Sequence, residues 1–257
     1  MQKKRIQINI KDFPPELHFA LSGANLYDSS CNSNADVLYS DLGYYIKIDG
    51  AGELRNEAAL TATFYEKGLG VELVTYLSGN KDYMVTREAV GEDLTHWVDD
   101  PERLCQVLAG ALRTLHHQPI DGMPISFRQQ RYMESANGDF SGGYYDEGVL
   151  MDRFHIASKE EAWAIMQENK HRLTCDTLIH GDACLPNLIL DDGKFSTFID
   201  FNLAGVGDRH IDLYWAIWSL QYNLGTDRYT DRFLDLYGRE HVDEEMLRVV
   251  AAFELFG

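Results

Sequence analysis

The sequence predicts an α+β protein of two unequal halves, a small β-rich half over residues 1–90 and a larger, mainly helical half over residues 91–257. Two observations predict this division. Runs of β-branched and aromatic residues with hairpin turns fill the first half, whereas apolar residues at spacings of three and four dominate the second. With 257 residues, of which 45% are apolar, the chain can bury a proper core without disulfides.

The first half contains four predicted strands and one predicted helix. The strands lie at 37–39, 44–48, 72–77 and 83–87, and polar turns at 40–43 and 78–81 make two hairpins of them. The helix runs from about Glu53 to Lys67, where Gly68 stops it. The segment 90–94 then reads as a connector to the second half.

The second half alternates helices with short strands. Its first helix is predicted from apolar residues repeating at helical spacing, namely Leu104, Val107, Leu108, Ala111, Leu112 and Leu115. A long irregular segment with short helices is expected over 119–148, and a helix near 159–172. Short strands are predicted at 178–180, 188–190 and 197–199, with helices from about Asp208 onward.

The chain is strongly acidic, with a formal net charge of −18. This charge argues against nucleic acids and anionic membranes as partners, since both require clustered Lys and Arg. Residues 1–90 carry 9 basic and 12 acidic residues, net −3, whereas residues 91–257 carry 14 and 29, net −15. The acidity of the larger half fits either a cationic partner or a solvated face.

The N-terminal stretch has no apolar core of a signal peptide, and no apolar run approaches the length of a membrane span. The spacings of the four cysteines fit no zinc site. We interpret them as reduced thiols, with Cys31, Cys105 and Cys175 as small buried side chains, and we therefore expect a cytoplasmic protein. We also expect a monomer or a weak dimer.

Three polar residues have the spacing that phosphoryl transfer requires. Asp182 follows a predicted strand, Asn187 comes five residues later, and Asp200 ends the hairpin that follows. One carboxylate would accept the proton of an attacking hydroxyl, while an amide oxygen and a second carboxylate would hold Mg²⁺. The catalytic loop of kinases has the same Asp-to-Asn spacing.

A lysine on a strand and a glutamate on the next helix complete this type of site. Period-two alternation places Tyr45 and Lys47 on one face of the predicted strand. This arrangement would suit an aromatic ring beside adenine and an ammonium group on the phosphates. Glu57 lies on the apolar stripe of the helix and is the expected partner of Lys47, with Glu53 as the rival. Tyr45 also fits an ordinary core aromatic residue. Ser33 lies in a polar stretch that could face the nucleotide phosphates.

At these positions the sequence resembles the aminoglycoside 3′-phosphotransferases, over roughly residues 40–256. The segments that carry the resemblance are His180–Asn187, Phe198–Asp200, Gly205–Arg209 with Asp212, Asn56–Ala59, Arg87–Leu94, Leu112–His116, Tyr145–Glu147 and Phe253–Phe256. It implies a two-lobed, protein-kinase-like fold, a nucleotide-binding lobe at 1–90 and a catalytic and substrate-binding lobe at 91–257.

The resemblance also implies roles for individual residues. Asp182 would be the general base, Asn187 and Asp200 the Mg²⁺ ligands, and Lys47 with Glu57 the ion pair on the phosphates of ATP. The backbone of Arg87 and Ala89 matches the adenine-binding hinge. Asp146, Glu147, Glu254 and Phe256 match positions that bind the aminoglycoside. Asp208 and Asp212 would be structural, accepting hydrogen bonds from the catalytic loop.

Three departures from the family pattern fall in the substrate half, namely Leu203, Phe253 and the additional Gly257. Leu203 replaces an arginine and Phe253 an aspartate.

The motif and the resemblance together favour one interpretation first, an ATP-dependent, Mg²⁺-requiring kinase of an aminoglycoside hydroxyl that confers antibiotic resistance. GTP is an alternative donor. The others are a kinase of the same fold for another small alcohol or amino sugar, and a non-catalytic nucleotide-binding protein.

Overall fold

The computed structural model describes residues 4–30, 35–135 and 145–256. The chain divides into two compact units. The smaller contains Met1–Val90 together with Thr197–Asn202, and the larger contains Gly91–Ser196 and Leu203–Gly257. The short segment Thr197–Asn202 is thus far in sequence from the rest of the unit to which it belongs.

The described part of the smaller unit is a six-stranded antiparallel sheet with two α-helices. The strands are β1 Lys4–Ile6, β2 Leu26–Asp28, β3 Asp36–Ser40, β4 Tyr44–Gly50, β5 Leu73–Ser78 and β6 Lys81–Arg87, in the order β1-β2-β3-β4-β6-β5. The helices are α1 His18–Leu21 and α2 Arg55–Glu66. The four predicted strands and the predicted helix are confirmed, each to within a few residues; β1 and β2 were not predicted.

The two faces of β4 have different surroundings. Ile46 and Ile48 are buried in a core with Leu21, Leu38 and Val85. Lys47 alternates with them and therefore points to the opposite face. This confirms the predicted alternation.

The larger unit holds the remaining helices and strands of the described chain. The helices are α3 Pro101–His116, α4 Phe127–Ser135, α5 Lys159–Asn169, α6 Arg209–Leu224, α7 Thr230–Tyr237 and α8 Glu244–Glu254. The strands are β7 Glu92–Asp93, β8 Thr177–Ile179, β9 Leu188–Asp191, β10 Lys194–Phe198 and β11 Gly205–Gly207. Strands β10, β9 and β7 form one sheet, and β8 pairs with β11 in another. The chain enters the smaller unit within β10, at Thr197.

Long buried faces hold the helices of the larger unit together. On α3, the residues of the predicted apolar repeat are all buried, and Leu104, Leu108, Leu112 and Leu115 are fully so. Burying one such leucine side chain contributes about 1.5–3 kcal/mol. None of the helices in 4–30, 35–135 and 145–256 has the length and apolar character that crossing a bilayer requires.

Candidate active site

Lys47 is bound by two carboxylates within the smaller unit. Its Nζ lies 2.9 and 2.8 Å from the two carboxylate oxygens of Glu57, and 3.4 Å from Oδ1 of Asp200. The predicted pairing with Glu57 is confirmed, since Glu57 is 3% exposed on the inner face of α2 whereas Glu53 is exposed to solvent. The contact of Lys47 with Asp200 was not predicted.

The two carboxylates keep the Lys47 side chain protonated. Burial alone would lower the pKa of Lys47, but the negative charges of Asp200 and Glu57 outweigh it, and the pKa is raised. Burial raises the pKa of Glu57, and Lys47 offsets only part of that rise. Lys47 is therefore a fixed cation at neutral pH, and Glu57 holds it at the sheet surface.

Asp200 is presented by a tight bend after β10. Its backbone is left-handed, with φ of 65°, a conformation that few non-glycine residues adopt. Phe201 anchors the bend, since its ring lies 4.3 Å from the ring of Phe64, a buried residue of α2. The side chain of Asp200 remains 50% exposed. The carboxylate is consequently open to ligands besides Lys47.

Two of the other residues predicted to bind the nucleotide, Tyr45 and Arg87, lie in the same sheet. Tyr45 lies two residues before Lys47, and its ring is 5.0 Å from that of Tyr39 on the neighbouring strand. It is half-buried. Arg87 ends β6, with its guanidinium 4.5 Å from the ring of Tyr44, and Ala89 follows two residues later. Ser33 lies outside the described residues.

The loop between β8 and β9 in the larger unit brings Asp182 and Asn187 together. A 3₁₀ turn over Leu185–Asn187 folds the chain back on itself. The amide Nδ2 of Asn187 donates to the backbone carbonyl of Asp182 at 2.9 Å and to its Oδ2 at 3.0 Å. Because the amide nitrogen is engaged with Asp182, the amide oxygen of Asn187 is the atom that can coordinate a cation.

The start of this loop is fixed by Asp212 on α6. The backbone N–H groups of His180 and Gly181 each donate to the Asp212 carboxylate at 2.8 Å. Nε2 of His116 lies 3.0 Å from the same carboxylate. Gly181 has φ of 80°, and a Cβ there would lie 2.2 Å from the carbonyl oxygen of Leu203. Only glycine fits this position, so Asp182 projects from a rigid turn.

The two aspartates predicted to be structural differ in what they hold. The prediction for Asp212 is confirmed by its bonds from the catalytic loop. The prediction for Asp208 is wrong in its partners, since its carboxylate accepts from the backbone N–H groups of Thr174 and His210 and thereby caps α6. The imidazole of His116 supports the Asp212 carboxylate.

Asp146, one of the predicted substrate contacts, meets the segment that contains Phe256. The backbone N–H of Asp146 donates to the carbonyl of Leu255 at 2.9 Å, and the ring of Tyr145 lies 5.8 Å from that of Phe256. Asp146 is half-buried, and Glu147 is exposed. The acidic pair and Phe256 therefore share one region of the larger unit, as a common role in substrate binding requires.

Glu254 is not the accessible carboxylate that the sequence suggested. It is 3% exposed, and Nη1 of Arg128 donates to both of its oxygens at 2.7 and 2.6 Å. Nε1 of Trp215 donates to it at 2.5 Å, and the hydroxyl of Tyr132 donates as well. The guanidinium of Arg128 thus stands where an external ammonium group was expected, and the expectation of a direct substrate contact is not supported.

The structure shows the contacts of two residues that depart from the family pattern, Phe253 and Leu203. The ring of Phe253, where an aspartate was expected, stacks on Tyr132 at 4.8 Å and is buried. The carbonyl of Leu203 accepts a hydrogen bond from Ser126 at 2.6 Å. Gly257 lies outside the described residues.

The sequence analysis did not identify Arg128, the partner of Glu254. Arg128 lies in the segment predicted to be irregular, where no periodicity marks a buried position.

The cysteines are only partly as expected. Cys105 is buried, but Cys175 is exposed, so the interpretation of Cys175 as a buried side chain is wrong. Cys105, Cys175 and Cys184 are free thiols, and Cys31 lies outside the described residues. In the ranges 4–30, 35–135 and 145–256, no group of three or more His, Cys, Asp or Glu side chains could hold a metal ion by itself.

Comparison with known proteins agrees with this arrangement. The model of the phosphotransferase enzyme family matches residues 32–252. The chain is 42% identical to a probable aminoglycoside 3′-phosphotransferase of Lactococcus lactis subsp. lactis (strain IL1403), over 99% of this chain and 98% of that protein. It is 32% identical to the aminoglycoside 3′-phosphotransferase of Niallia circulans, over 72% of this chain and 71% of that protein.

The fold has a solved counterpart. The structure of an aminoglycoside phosphotransferase from Streptomyces rimosus in complex with ADP and streptomycin aligns with a TM-score of 0.73 at 19% identity, covering 97% of this chain and 99% of that one. At this identity the likeness concerns the fold alone. The matches over nearly the whole sequence go further, and the chain belongs to the phosphotransferase enzyme family, among the aminoglycoside 3′-phosphotransferases.

Proposed function

We propose that the protein transfers the γ-phosphoryl group of ATP to the 3′-hydroxyl of an aminoglycoside and so confers resistance to it. The observation that carries the proposal is the pairing of Asp182 with Asn187 in a loop anchored by Asp212. The two aminoglycoside 3′-phosphotransferases of the comparison support the choice of acceptor and position. The acidity of residues 91–257 supports it as well, since aminoglycosides are polycations.

Asp182 is the proposed general base. Its carboxylate would accept the proton of the acceptor hydroxyl as the oxygen attacks the γ-phosphorus. The hydrogen bond from Asn187 to Oδ2 orients the carboxylate, and the bonds from His180 and Gly181 to Asp212 hold the backbone that precedes it. This rigidity supports the role, since proton transfer depends on a fixed donor–acceptor geometry.

Asn187 and Asp200 are the proposed ligands of Mg²⁺. An amide oxygen and a carboxylate suit this hard cation, which completes its coordination with water and phosphate oxygens. Asp200 fits the role because its side chain is half-exposed although it also contacts Lys47. When bound, Mg²⁺ supplies charge neutralisation on the phosphates.

Lys47 is the proposed contact of the nucleotide phosphates, with Glu57 orienting its ammonium group. Tyr45 and the backbone of Arg87 and Ala89 would contact adenine, and Ser33 would contact the phosphates. GTP remains an alternative donor, because none of these contacts distinguishes the two bases. Asp146, Glu147 and Phe256 would contact the aminoglycoside, and Glu254 would act on it only through Arg128.

We propose the cytoplasm as the site of action. The support is the free state of Cys105, Cys175 and Cys184, which fits a reducing compartment. The protein is further proposed to be a monomer or a weak dimer, which sedimentation at several concentrations would check.

A coupled ATP-consumption assay with matched acceptors tests the function. Kanamycin B and its 3′-deoxy analogue differ only at the hydroxyl in question, so kanamycin B should be phosphorylated and the analogue should not. Asp182→Ala should lower kcat by about 100-fold or more, the usual loss for a general base, and leave the KM for ATP nearly unchanged. Turnover of a simple amino alcohol with no turnover of kanamycin B would instead favour the small-alcohol kinase.

A further inference from the structure

Three tyrosine side chains form a row across the sheet of the smaller unit. In the antiparallel register, Tyr27 on β2 lies opposite Tyr39 on β3, and Tyr39 lies opposite Tyr45 on β4. The ring of Tyr39 is 6.0 Å from that of Tyr27 and 5.0 Å from that of Tyr45. Directly opposite residues share one face of a sheet, so the row lies on the face that carries Lys47, two residues after Tyr45.

The middle tyrosine of the row is also bonded to a residue outside these three strands. The hydroxyl of Tyr39 donates to Oε2 of Glu88, the residue after β6, at 3.0 Å. In the strand order β3-β4-β6, the two residues belong to opposite sides of β4. Their hydrogen bond therefore spans the strand that carries Tyr45 and Lys47.

The Tyr39 hydroxyl remains a donor at neutral pH. Burial raises the pKa of Tyr39, and the hydrogen bond to Glu88 and the negative charge of Glu88 raise it further, to about 12. The proton therefore stays on the hydroxyl, and the carboxylate accepts it. A hydrogen bond to a charged acceptor is stronger than one between neutral groups.

The segment that contains Glu88 is held by main-chain bonds as well. The N–H of Glu88 donates to the carbonyl of Gly43, in the turn between β3 and β4, at 3.0 Å. The N–H of Arg87 donates to the carbonyl of Glu72, also at 3.0 Å. Glu88 is thus bonded to β3 through its side chain and to the β3–β4 turn through its backbone. Both attachments fix the backbone of its neighbours Arg87 and Ala89.

Tyr45 lies where the base of a nucleotide would fall. At about 3.3 Å of rise per residue, Tyr45 is about 7 Å from Lys47 along β4. Lys47 is the proposed contact of the phosphates, and the ribose separates the phosphates from the base. A nucleotide that has its phosphates at Lys47 and extends toward Tyr45 therefore places its base beside this ring.

We infer that Tyr39 is a positioning residue for the base of the nucleotide, which supports the ring of Tyr45 and holds the segment 87–89 through Glu88. The inference rests on the proposed function and adds a residue that would not itself touch the nucleotide. Tyr39 acts on the base end of the site alone. Its loss should therefore weaken recognition of the base and leave the phosphate contact of Lys47 unchanged.

Tyr39→Phe tests the hydrogen bond, because it removes the hydroxyl and keeps the ring against Tyr45. It should raise the KM for ATP about 3- to 10-fold, the range of one partly exposed hydrogen bond, with kcat unchanged. Glu88→Ala should give the same increase, and the double variant no further increase, because both changes remove one bond. Glu88→Gln should give a smaller increase, since its amide oxygen can still accept.

Two ligands separate recognition of the base from general damage to the site. Calorimetric titration with MgADP and with magnesium pyrophosphate measures binding with and without the nucleoside. Tyr39→Phe should weaken binding of MgADP about 3- to 10-fold and leave binding of pyrophosphate unchanged. Tyr27→Phe is the matched control, because Tyr27 is a half-buried tyrosine of the same row, one strand farther from Tyr45. It should change neither affinity.

The inference is overturned if Tyr39→Phe leaves the affinity for MgADP unchanged, or if it weakens both ligands equally. Additive effects of Tyr39→Phe and Glu88→Ala would overturn it too, since the two residues would then act separately. Failure of the proposed function gives a different result. The wild-type protein would then bind MgADP without phosphorylating kanamycin B, and the titrations would still decide the role of Tyr39. A wild-type protein that binds no MgADP overturns the inference as well.

Discussion

Lys47 interacts with two carboxylates, those of Glu57, which is buried, and of Asp200, which is half-exposed. This difference in exposure gives the two carboxylates different roles. Glu57 holds the ammonium group in place, while Asp200 remains open to other ligands. We expect Lys47→Ala to lower kcat/KM for ATP strongly. Glu57→Gln should cause a milder loss in the same direction, because an amide fixes an ammonium group less well than a carboxylate. Initial rates at varied ATP and saturating acceptor measure both effects.

Glu53→Gln is the control for this pair, since Glu53 is exposed on the same segment. It should have wild-type kinetics. An equal loss in Glu53→Gln and Glu57→Gln would show that the effect comes from the net charge of the region. It would contradict a specific role for the Lys47–Glu57 contact.

The ion pair of Arg128 and Glu254 makes a prediction about stability. Both side chains are buried, so Glu254→Gln or Arg128→Gln leaves an uncompensated charge in the interior. Each change should lower the free energy of unfolding by about 3–5 kcal/mol. Urea denaturation followed by circular dichroism measures the loss. Equal stability of wild type and Glu254→Gln would contradict it.

A double variant separates this electrostatic cost from lost packing. Arg128→Met combined with Glu254→Leu removes both charges and keeps apolar volume, so it should be more stable than either single glutamine variant. It should not recover fully, because Tyr132 and Trp215 lose the acceptor for their hydrogen bonds.

At the scale of elements, Asp82 fastens the start of α2 to the sheet. Its carboxylate is fully buried on β6 and accepts hydrogen bonds from the backbone N–H of Leu54 at 3.0 Å, from Tyr76 at 2.7 Å and from Ser78 at 2.7 Å. Burial by itself would raise the pKa of Asp82. The hydrogen bonds, including one from the backbone of Gly52, outweigh burial and hold the pKa below the usual 3.8.

This lowered pKa predicts a pH-dependent contribution to stability. Because the folded-state pKa is below the unfolded-state value, ionised Asp82 stabilises the fold above pH 3.8, and the contribution is lost as pH falls through the folded-state value. Asp82→Asn should therefore cost about 1–3 kcal/mol at pH 7 and less below pH 3.8. Urea denaturation of both proteins across that range tests it, and a cost independent of pH would contradict it.

Elements with a strong local pattern were predictable from the sequence. The leucines of α3 repeat at the spacing of a helix, and the side chains of β3 and β4 alternate with the period of a strand. The buried pairing of Lys47 with Glu57 follows from these two periodicities. Strand β11 was not predictable, because its three residues, Gly205–Gly207, are too few to show an alternation of apolar and polar side chains. The strand depends on its pairing with β8. Arg128 was not predictable either, since its burial comes from Glu254, which is distant in the sequence.

At the scale of the whole molecule, the net charge of −15 on residues 91–257 predicts that association with the acceptor depends on salt. The Debye length falls from about 30 Å at 0.01 M to about 8 Å at 0.15 M, so added salt screens the attraction of a polycation. We expect kcat/KM for kanamycin B to fall steeply over this range. The KM for MgATP should respond less, because the Mg²⁺ proposed for that site would neutralise the nucleotide phosphates.

Two variants of equal charge distinguish a local contact from the overall field. Glu147→Gln should raise the KM for kanamycin B and flatten its salt dependence. Glu168→Gln removes the same charge from an exposed position on α5 and should do neither. Equal effects of the two variants would show that the attraction comes from total charge, and no effect of salt would argue against a polycationic acceptor.

The segment Thr197–Asn202 has a consequence for how the chain acquires its structure during synthesis. Residues 1–90 of the smaller unit are synthesised before residues 197–202, yet this unit also needs Phe201 to pack on Phe64, and Asp200 to reach Lys47. Translation therefore releases this unit incomplete, and it stays so until much of the larger unit has been made. A nascent chain stalled after Val90 would lack part of the core of the smaller unit and the second counter-charge of Lys47, so this unit cannot be completed before residue 201 has been synthesised.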